Sequence, residues 1–473
     1  MAEEFSSMAT EISWMSALEL KRCIAAKEIS PVDAVEASLQ RLHAVEGELN
    51  AFVTLTEEVA REAARAAEDA IMNGGELGAL HGLPVSVKDL IAMGGVRFTF
   101  GSRAMAEHVA TADAPSVARL REAGACIVGK TTTSEFGCKA VGDSPLTGIT
   151  CNPWNTHKTP GGSSAGAGAS IAAGVTAFGL GTDGGGSVRI PGSLCGLFAI
   201  KPQFARIPAF PASATTTLAH IGPMSRTVRD SALLLSMTAG FDARDPFAVA
   251  GPVPDFLTAC DKPVKGLRAA WSPTLGYAKP DREVVALCEE AVKALEAQGC
   301  EVELVETVIP EDPEDIWMTE FYPGVGGRLR AVLDSDPGLL DPAVAETLTR
   351  ALQQSLADHY TKIFERYEFR ERMRSFFEGY DLLLSPTLPV PPFDTGLNAP
   401  PQDPDADIVG WVRYNYPFNL TGTPAATVPA GFTEDGLPVG LQIVAGALNE
   451  EDVFAAAAAI EEARPWADRR PAL

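Results

Sequence analysis

Residues 159–201 read TPGGSSAGAGASIAAGVTAFGLGTDGGGSVRIPGSLCGLFAIK, a stretch rich in Gly and Ser. Gly and Ser take positions that a core segment would fill with Leu, Ile and Val. Ordering Gly in regular structure costs about 0.5–1 kcal/mol more than ordering Ala, so a run such as 184–186 needs a reason. That reason is a positive φ angle or bare backbone N–H groups. We therefore expect this stretch, with Ser163, Ser164 and Ser187 beside its glycines, to bring backbone close to another group.

The composition describes an ordinary globular protein. Of 473 residues, 46% are hydrophobic and 21% are charged, so a sizeable core can form. The net charge of −24, without a Lys/Arg cluster, argues against nucleic acid or an anionic membrane as a partner. No window looks like a signal peptide or a bilayer span. Eight cysteines without ligand or pairing spacing predict a cytoplasmic protein that holds no metal.

The order of predicted elements indicates the fold class. Residues 1–75 are predicted to form a helical scaffold, because their Ala-, Glu- and Leu-rich segments end at Ser-Pro, Asn or Gly-Gly. Helix and strand patterns alternate afterwards, and the chemistry-bearing core is placed at 76–230. Residues 310–342 are aromatic and punctuated by glycine, which we interpret as an irregular lid or wall. No repeat or linker interrupts the chain, so we predict one large α/β domain over 1–473.

A short buried strand, LPVSVKD, ends at Lys88 and Asp89. Side chains at strand ends commonly carry chemistry in α/β folds. The simpler interpretation of Lys88 is a solvated lysine at the end of a strand, and this segment alone favours that interpretation.

Two nucleotide-binding patterns match only in their letters. Residues 124–131, GACIVGKT, fit the P-loop pattern, but strand-like residues stand where the phosphate loop should be and a helix precedes them. Gly179, Gly181 and Gly184 fit the dinucleotide pattern, but we expect Pro191 to prevent the helix that should follow. No nucleotide cofactor is therefore predicted.

A third pattern, G-x-S-x-G at Gly162, Ser164 and Gly166, matches the nucleophile elbow of α/β-hydrolases. That elbow follows a hydrophobic strand, whereas NPWNTHKTP at 152–160 contains two prolines. An esterase that uses Ser164 as its nucleophile stays as an alternative.

A serine nucleophile needs a base, and none of the six histidines lies within the Gly/Ser clusters. A buried lysine can serve instead, because burial disfavours the ammonium form and lowers the pKa from its usual value of about 10.4. Lys88 follows an apolar run and is the candidate. The sequence GGGS after a strand presents backbone N–H groups without side chains, which is the form of an oxyanion hole.

The chain resembles the amidase signature family, the serine hydrolases with a Ser-cisSer-Lys triad. The resemblance covers most of the chain in the family's order. It is carried by HGLPVSVKD (81–89), GKTTTSEFG (129–137), TPGGSSAG (159–166), GTDGGGSVRIPGSLCGLFAIKP (181–202), NLTGTPAATVPAG (419–431) and LPVGLQIVAG (437–446). It implies an α/β/α fold with a central mixed sheet covered by helices.

The resemblance also implies roles for single residues. Ser187 matches the nucleophile, Ser163 the relay serine that follows a cis peptide bond, and Lys88 the base. The backbone N–H groups that match the oxyanion hole belong to Gly184, Gly185, Gly186 and Ser187. Supporting roles fall on Ser164, Asp183 and Arg189, and the last two match residues that hold the loop without taking part in a step of catalysis. Gly137 and Cys138 match positions that line the acyl pocket.

The expected activity is hydrolysis of amide C–N bonds through an acyl-enzyme, without cofactor or metal. Small Gly137 and the aromatic segment 317–327 favour bulky apolar or aromatic amides, and related carbamates (urethanes) or esters are included as substrates. Two further alternatives are the A-type subunit of a glutamine amidotransferase and a non-catalytic binding protein. The small-molecule amide or carbamate is the expected partner, and a homodimer is left open.

Overall fold

The computed structural model describes residues 9–403 and 406–473. Its strands are β1 (Phe52–Leu55), β2 (Pro84–Lys88), β3 (Cys126–Thr131), β4 (Asp143–Ser144), β5 (Gly148–Ile149), β6 (Phe178–Asp183), β7 (Phe198–Lys201), β8 (His220–Ser225), β9 (Arg268–Trp271), β10 (Glu301–Leu304), β11 (Leu382–Pro386), β12 (Ala425–Phe432) and β13 (Pro438–Ala445). The α-helices after residue 16 are α1 (Ala17–Ala25), α2 (Pro31–Leu49), α3 (Glu57–Met72), α4 (Pro115–Glu122), α5 (Ala165–Ala172), α6 (Arg189–Cys195), α7 (Val228–Thr238), α8 (Phe256–Ala259), α9 (Arg282–Ala297), α10 (Glu314–Ser335), α11 (Pro342–Ala351), α12 (Leu356–Phe376), α13 (Pro417–Thr421) and α14 (Glu450–Ala463).

An 11-stranded mixed sheet runs through the described part of the chain in the order β1-β3-β2-β6-β8-β7-β12-β13-β11-β9-β10. The pairs β2–β3, β2–β6, β11–β9 and β10–β9 are parallel, and the other pairs are antiparallel. Helices pack on both faces of the sheet, and successive side chains along a strand pack into the cores on opposite faces. Leu382 and Leu384 of β11 belong to one core, while Leu383 belongs to the other. The α/β/α fold with a central mixed sheet is confirmed.

Strand β2 lies inside the sheet between β3 and β6, and its five residues are all buried. A strand covered on both faces needs an apolar sequence, which Pro84, Val85 and Val87 supply. The solvated strand-end lysine is therefore the wrong interpretation, because the sheet and its covering layers enclose Lys88.

The N-terminal scaffold contains the predicted helices α1, α2 and α3, but it is not wholly helical. Phe52–Leu55 forms β1, which pairs antiparallel with β3 and makes one edge of the sheet. Four residues between two long helices carry little periodic signal, so pairing with β3 decides their structure.

Residues 310–342 are not irregular, which corrects the expectation. Helix α10 takes 22 of them and continues through Pro323, Gly324 and Gly326. These residues have the lowest helix propensities. Tertiary contact outweighs that preference here, because Trp317 and Tyr322 on the same helix are buried in the core.

Pro191 also does not prevent a helix, since α6 begins at Arg189 and includes it. Pro191 is the third helical residue, and the N–H groups of the first turn have no acceptor within the helix. The segment that matches the P-loop pattern contains a strand where the phosphate loop would be, as predicted, because Cys126–Thr131 forms β3. Its Lys130 is buried and pairs with Asp89 at 2.8 Å.

Candidate active site

Lys88 ends β2 with its side chain fully buried. Its Nζ lies 2.7 Å from Ser163 Oγ and 2.8 Å from Thr182 Oγ1. Burial lowers the pKa of Lys88 well below its usual range, and the nearby charge of Asp183 opposes that shift only in part. The lowered pKa favours the neutral amine, whose lone pair can accept the proton of the Ser163 hydroxyl.

Ser163 and Ser164 stand where the chain turns into α5. The peptide bond between Gly162 and Ser163 is cis, as the resemblance implies. Ser164 is fully buried; its Oγ donates to the Thr182 carbonyl oxygen at 3.1 Å and accepts from the Thr182 N–H at 3.2 Å. No strand precedes Ser164, so it lacks the setting of a nucleophile elbow. Its contacts fix the Ser163 backbone against β6.

Ser187 follows the glycine loop, residues 184–186, which comes directly after β6. Ser187 is 8% exposed and lines the same cavity as Ser163 and Thr182. Among the described residues, the N–H groups of Gly184, Gly185 and Ser187 have no acceptor. The Gly186 N–H, in contrast, donates to Asp183 Oδ1 at 2.8 Å. The expected set of oxyanion donors is therefore corrected, because Asp183 already occupies the Gly186 N–H.

A buried ion pair holds this loop. Arg189 donates to both carboxylate oxygens of Asp183, at 3.0 and 2.9 Å, and both side chains are fully buried. Arg189 also donates to Gln442 Oε1 and Asn419 Oδ1, while Asn419 Nδ2 donates to Asp183 Oδ1. Burial alone would raise the pKa of Asp183, but Arg189, Lys201 and Asn419 outweigh it and hold the pKa well below its usual range. Asp183 and Arg189 thus anchor the loop.

The glycines also admit helix α10. A Cβ at Gly184 would lie 2.8 Å from Phe321 Cε2, and one at Gly185 would lie 2.6 Å from Trp317 Cζ2. The Trp317 indole Nε1 donates to the Gly184 carbonyl oxygen at 2.7 Å. The two residues of α10 therefore lie directly against the backbone that carries the free N–H groups.

A cavity of about 410 Å³ opens beside Ser163 and Ser187. Its walls are mainly apolar. The residues that line it are Leu90, Ile91, Phe98, Phe100, Met105, Ala114, Phe136, Gly137, Ser163, Thr182, Gly184, Ser187, Ala209, Phe210, Pro211, Ala212, Ser213, Ala214, Thr215, Ala219, His220, Ile221, Phe321, Val325, Arg328 and Leu329. A large apolar cavity with a few convergent polar groups is the usual form of a small-molecule site.

Gly137 lines this cavity, whereas Cys138 does not. A Cβ at Gly137 would lie 3.2 Å from Ser163 Oγ, so the missing side chain leaves room next to the serine. Phe136 and Gly137 both have positive φ angles, and this turn directs Cys138 into the core, where it is fully buried. Tyr322 donates to the Cys138 carbonyl oxygen at 3.0 Å. Cys138 is therefore a core residue.

Sequence reasoning did not assign Thr182 and Asn419, although both lie in segments that carry the resemblance. Thr182 contacts Lys88, and Asn419 contacts Asp183 and Arg189. A polar residue between a strand and a glycine run was the available signal for Thr182. For Asn419, nothing in its own segment indicates a contact with residues 230 and 236 positions away.

The part of the chain that the structure describes contains no group of three or more His, Cys, Asp or Glu side chains suited to a metal ion. Over the same residues, no helix meets the length and hydropathy needed to cross a bilayer.

The proteins to which this chain is similar in sequence belong to one family. The family model for amidases matches residues 33–454. An acylamidase of Rhodococcus erythropolis is 38% identical over 468 residues, covering 98% of each chain. The A subunit of the glutamyl-tRNA(Gln) amidotransferase of Moorella thermoacetica is 36% identical over 489 residues, covering 98% of this chain and 99% of that protein.

Solved structures of amide-hydrolysing enzymes also superpose on this chain. A bacterial aryl acylamidase of the amidase signature family superposes with a TM-score of 0.90 at 30% identity, covering 96% of this chain and 97% of that one. A 6-aminohexanoate cyclic dimer hydrolase superposes with a TM-score of 0.89 at 28% identity, covering 97% and 99%.

The buried ion pair leads to a prediction about stability. Asp183→Asn keeps the shape of the side chain but leaves the Arg189 charge unpaired in the core. We expect a loss of about 3–5 kcal/mol in the free energy of unfolding. Asp394→Asn is the control, because it breaks an exposed pair with Lys158 and should leave the melting temperature unchanged. Thermal unfolding of both variants measures the difference, and equal melting temperatures would contradict the anchoring role.

Proposed function

The chain belongs to the amidase family, and from this premise we propose that it hydrolyses amides through an acyl-enzyme formed on Ser187. One observation carries the proposal. A fully buried lysine, Lys88, lies 2.7 Å from the Ser163 hydroxyl at a cavity that Ser163 and Ser187 both line. An amine whose pKa burial lowers, beside two hydroxyl groups and free backbone N–H groups, has the parts that acyl transfer needs.

In the first half of the proposed reaction, the Ser187 oxygen attacks the amide carbonyl carbon. Its proton passes to Ser163 Oγ, and the Ser163 proton passes to Lys88 Nζ. The carbonyl oxygen becomes an oxyanion, which accepts hydrogen bonds from the N–H groups of Gly184, Gly185 and Ser187. The C–N bond then breaks, and a proton returns from Lys88 through Ser163 to the leaving amine.

The second half repeats the proton path with water. Water attacks the acyl-enzyme carbonyl, its proton moves through Ser163 to Lys88, and the same N–H groups accept the new oxyanion. Collapse releases the carboxylic acid and returns the proton to Ser187. Every transferred proton comes from Ser187, Ser163, Lys88 or water, so no further acid or base is needed.

We propose aryl or bulky apolar amides as substrates. The ring centroids of Phe98 and Phe100 are 4.0 Å apart, and those of Phe100 and Phe136 are 5.4 Å apart. The three rings form an aromatic wall of the cavity. Such a wall stabilises a flat apolar group through burial and ring packing. The similarity to acylamidases of R. erythropolis and of known structure supports this substrate class. Carbamates and esters carry the same acyl carbonyl group and are included.

A glutamine amidotransferase subunit is the second candidate, because several relatives at 33–36% identity are A subunits of that enzyme. Glutamine carries an amine, a carboxylate and an amide, and each needs a polar partner when it is buried. Among the described residues that line the cavity, Arg328 is the one with a formal charge, since burial lowers the pKa of His220 well below its usual range. The apolar lining favours the acylamidase proposal.

We further propose that the protein works in the cytoplasm on a small molecule, without a nucleic acid or membrane partner. All eight cysteines are free, which fits a reducing compartment. The homodimer stays a prediction.

A substrate panel tests the reaction class. Acetanilide, a primary aliphatic amide, a phenyl carbamate and glutamine are compared by kcat/KM. We expect acetanilide to be hydrolysed fastest and glutamine slowest, because the cavity has few partners for glutamine's charged groups. Fastest turnover of glutamine would favour the amidotransferase candidate instead.

Substitution of the proposed catalytic residues gives a second prediction. Ser187→Ala and Lys88→Ala should each lower kcat on acetanilide by a factor on the order of 10⁴ or more, as removal of a nucleophile or its base does in serine hydrolases. Ser164→Ala, which removes the elbow candidate, should retain measurable turnover. Labelling with a fluorophosphonate should occur at Ser187 and be lost in Ser187→Ala. Normal turnover in Ser187→Ala, or labelling at Ser164, would contradict the assignment.

The buried lysine predicts a dependence on pH. Protonation removes the base, so log(kcat/KM) should fall with a slope of about one per pH unit below the pKa of Lys88.

The free energy of unfolding depends on the protonation of the same lysine. The pKa of Lys88 is lower in the folded than in the unfolded chain, so the unfolded chain binds the extra proton as the pH falls from about 10.4. Wild-type stability should therefore fall relative to Lys88→Met by up to about 1.4 kcal/mol per pH unit, until the folded pKa is reached. Urea unfolding across pH measures this, and a constant difference would contradict a neutral Lys88.

A further inference from the structure

The cavity has one wall that the proposed chemistry does not use. Residues 209–215, here named the cavity loop, line it between β7 and β8, and helix α10 lines it next to them with Phe321, Val325 and Leu329. Most of these helix and loop side chains are apolar. A flat apolar group between the loop and the helix would contact both.

The two ends of the cavity loop are anchored within its own side of the molecule. The Ala209 N–H donates to Asp245 Oδ2 at 2.8 Å, and the Arg244 guanidinium lies 5.4 Å from the Phe210 ring centroid. At the other end, the Leu218 N–H donates to the Thr215 carbonyl oxygen at 2.9 Å. None of these contacts at the base of the loop involves helix α10.

The tip of the loop, in contrast, rests on helix α10. Arg328 donates to the Ala212 carbonyl oxygen at 2.6 Å. Among the described residues, this is the one hydrogen bond that reaches positions 211–214 from outside the loop. One turn earlier on the helix, Gly324 packs so closely that a Cβ there would lie 2.1 Å from the Ala214 carbonyl oxygen. The helix backbone and the loop backbone thus meet without an intervening side chain.

We propose that Gly324 and Arg328 are specificity-determining residues, which hold the cavity loop against helix α10 and so limit the size of the apolar group that the cavity accepts. This inference rests on the amide hydrolysis proposed above and extends it to substrate selection. The group that is selected is an aryl ring or a similarly flat apolar group. Neither residue touches the reacting atoms.

The first test is Gly324→Ala. No real Cβ approaches a backbone oxygen as closely as 2.1 Å, so the loop and the helix must separate by about 1 Å. A displacement of about 1 Å can change a rate by a factor of up to about 100. We expect kcat/KM for benzanilide, naphthoyl anilide or para-acetamidobiphenyl to rise roughly tenfold relative to that for acetanilide. The first two substrates enlarge the acyl group and the third enlarges the amine, so the series that responds identifies the group beside the loop.

The matched control is Gly327→Ala, on the same helix and exposed. A Cβ at Gly327 meets nothing within 4 Å, so the variant gains the same methyl group without contacting the loop. Its ratio of rates should equal that of the wild type.

A second variant covers the case in which Gly324→Ala does not fold. Arg328→Ala removes an exposed side chain and the hydrogen bond to Ala212. It should shift the ratio in the same direction and raise amide hydrogen exchange in peptides that span 209–215. The hydrogen-exchange measurement needs no turnover, so it can detect the contact between Arg328 and the cavity loop even in a Ser187→Ala background. Arg328→Lys should restore slow exchange in part.

The proposal is overturned if Gly324→Ala folds and keeps the wild-type ratio in both substrate series, or if Arg328→Ala leaves hydrogen exchange in 209–215 unchanged. Failure of the proposed function looks different, because the wild type would then not hydrolyse any substrate of the panel while the exchange result could still hold.

Discussion

The buried ion pair between Asp183 and Arg189 is the interaction on which the site geometry depends. It joins the end of β6 to the start of α6, and through Asn419 and Gln442 it joins both to helix α13 and strand β13. A buried pair stabilises a fold only when further hydrogen bonds satisfy both ions, and here they do. The glycine loop and Ser187, between the paired residues, are consequently held in one conformation, which leaves the N–H groups of Gly184, Gly185 and Ser187 without an acceptor among the described residues. A loop of glycines would not keep such a conformation unaided.

The same pair makes a neutral lysine compatible with a nearby carboxylate. Asp183 by itself would favour the charged form of Lys88 and so raise its pKa, which opposes the effect of burial. Its carboxylate oxygens, however, are directed to Arg189, Asn419 and the Gly186 N–H. Among the described residues Lys88 Nζ forms hydrogen bonds with hydroxyl and carbonyl oxygens only. Burial therefore decides the pKa of Lys88, since the negative charge of Asp183 is matched by Arg189.

Sequence reasoning predicted what local patterns encode. The apolar run before Lys88, the alternation of helix and strand, and the strand within the P-loop-like segment are each legible from a few neighbouring residues. Strand β1, the course of helix α10 and the burial of Cys138 depend instead on partners far away in the chain. Helix α10 contains proline and glycines that locally oppose a helix, and only its packing against the glycine loop and the cavity loop explains it. The side chains around Asp183 come from segments more than 200 residues apart, which no local pattern reveals.

Helix α10 and the glycine loop explain each other's composition. Gly184 and Gly185 lack side chains where Trp317 and Phe321 approach, while Gly324 lacks one where the cavity loop approaches. Helix α10 therefore contacts the proposed oxyanion donors at one place and the cavity loop at another. In the proposed reaction Lys88, Ser163 and Ser187 would act on the carbonyl group that all amides share, so they would not distinguish one amide from another. Selection among substrates must then come from surfaces that contact the remaining atoms of the substrate, and helix α10 connects such a surface directly to the backbone that would hold the oxyanion.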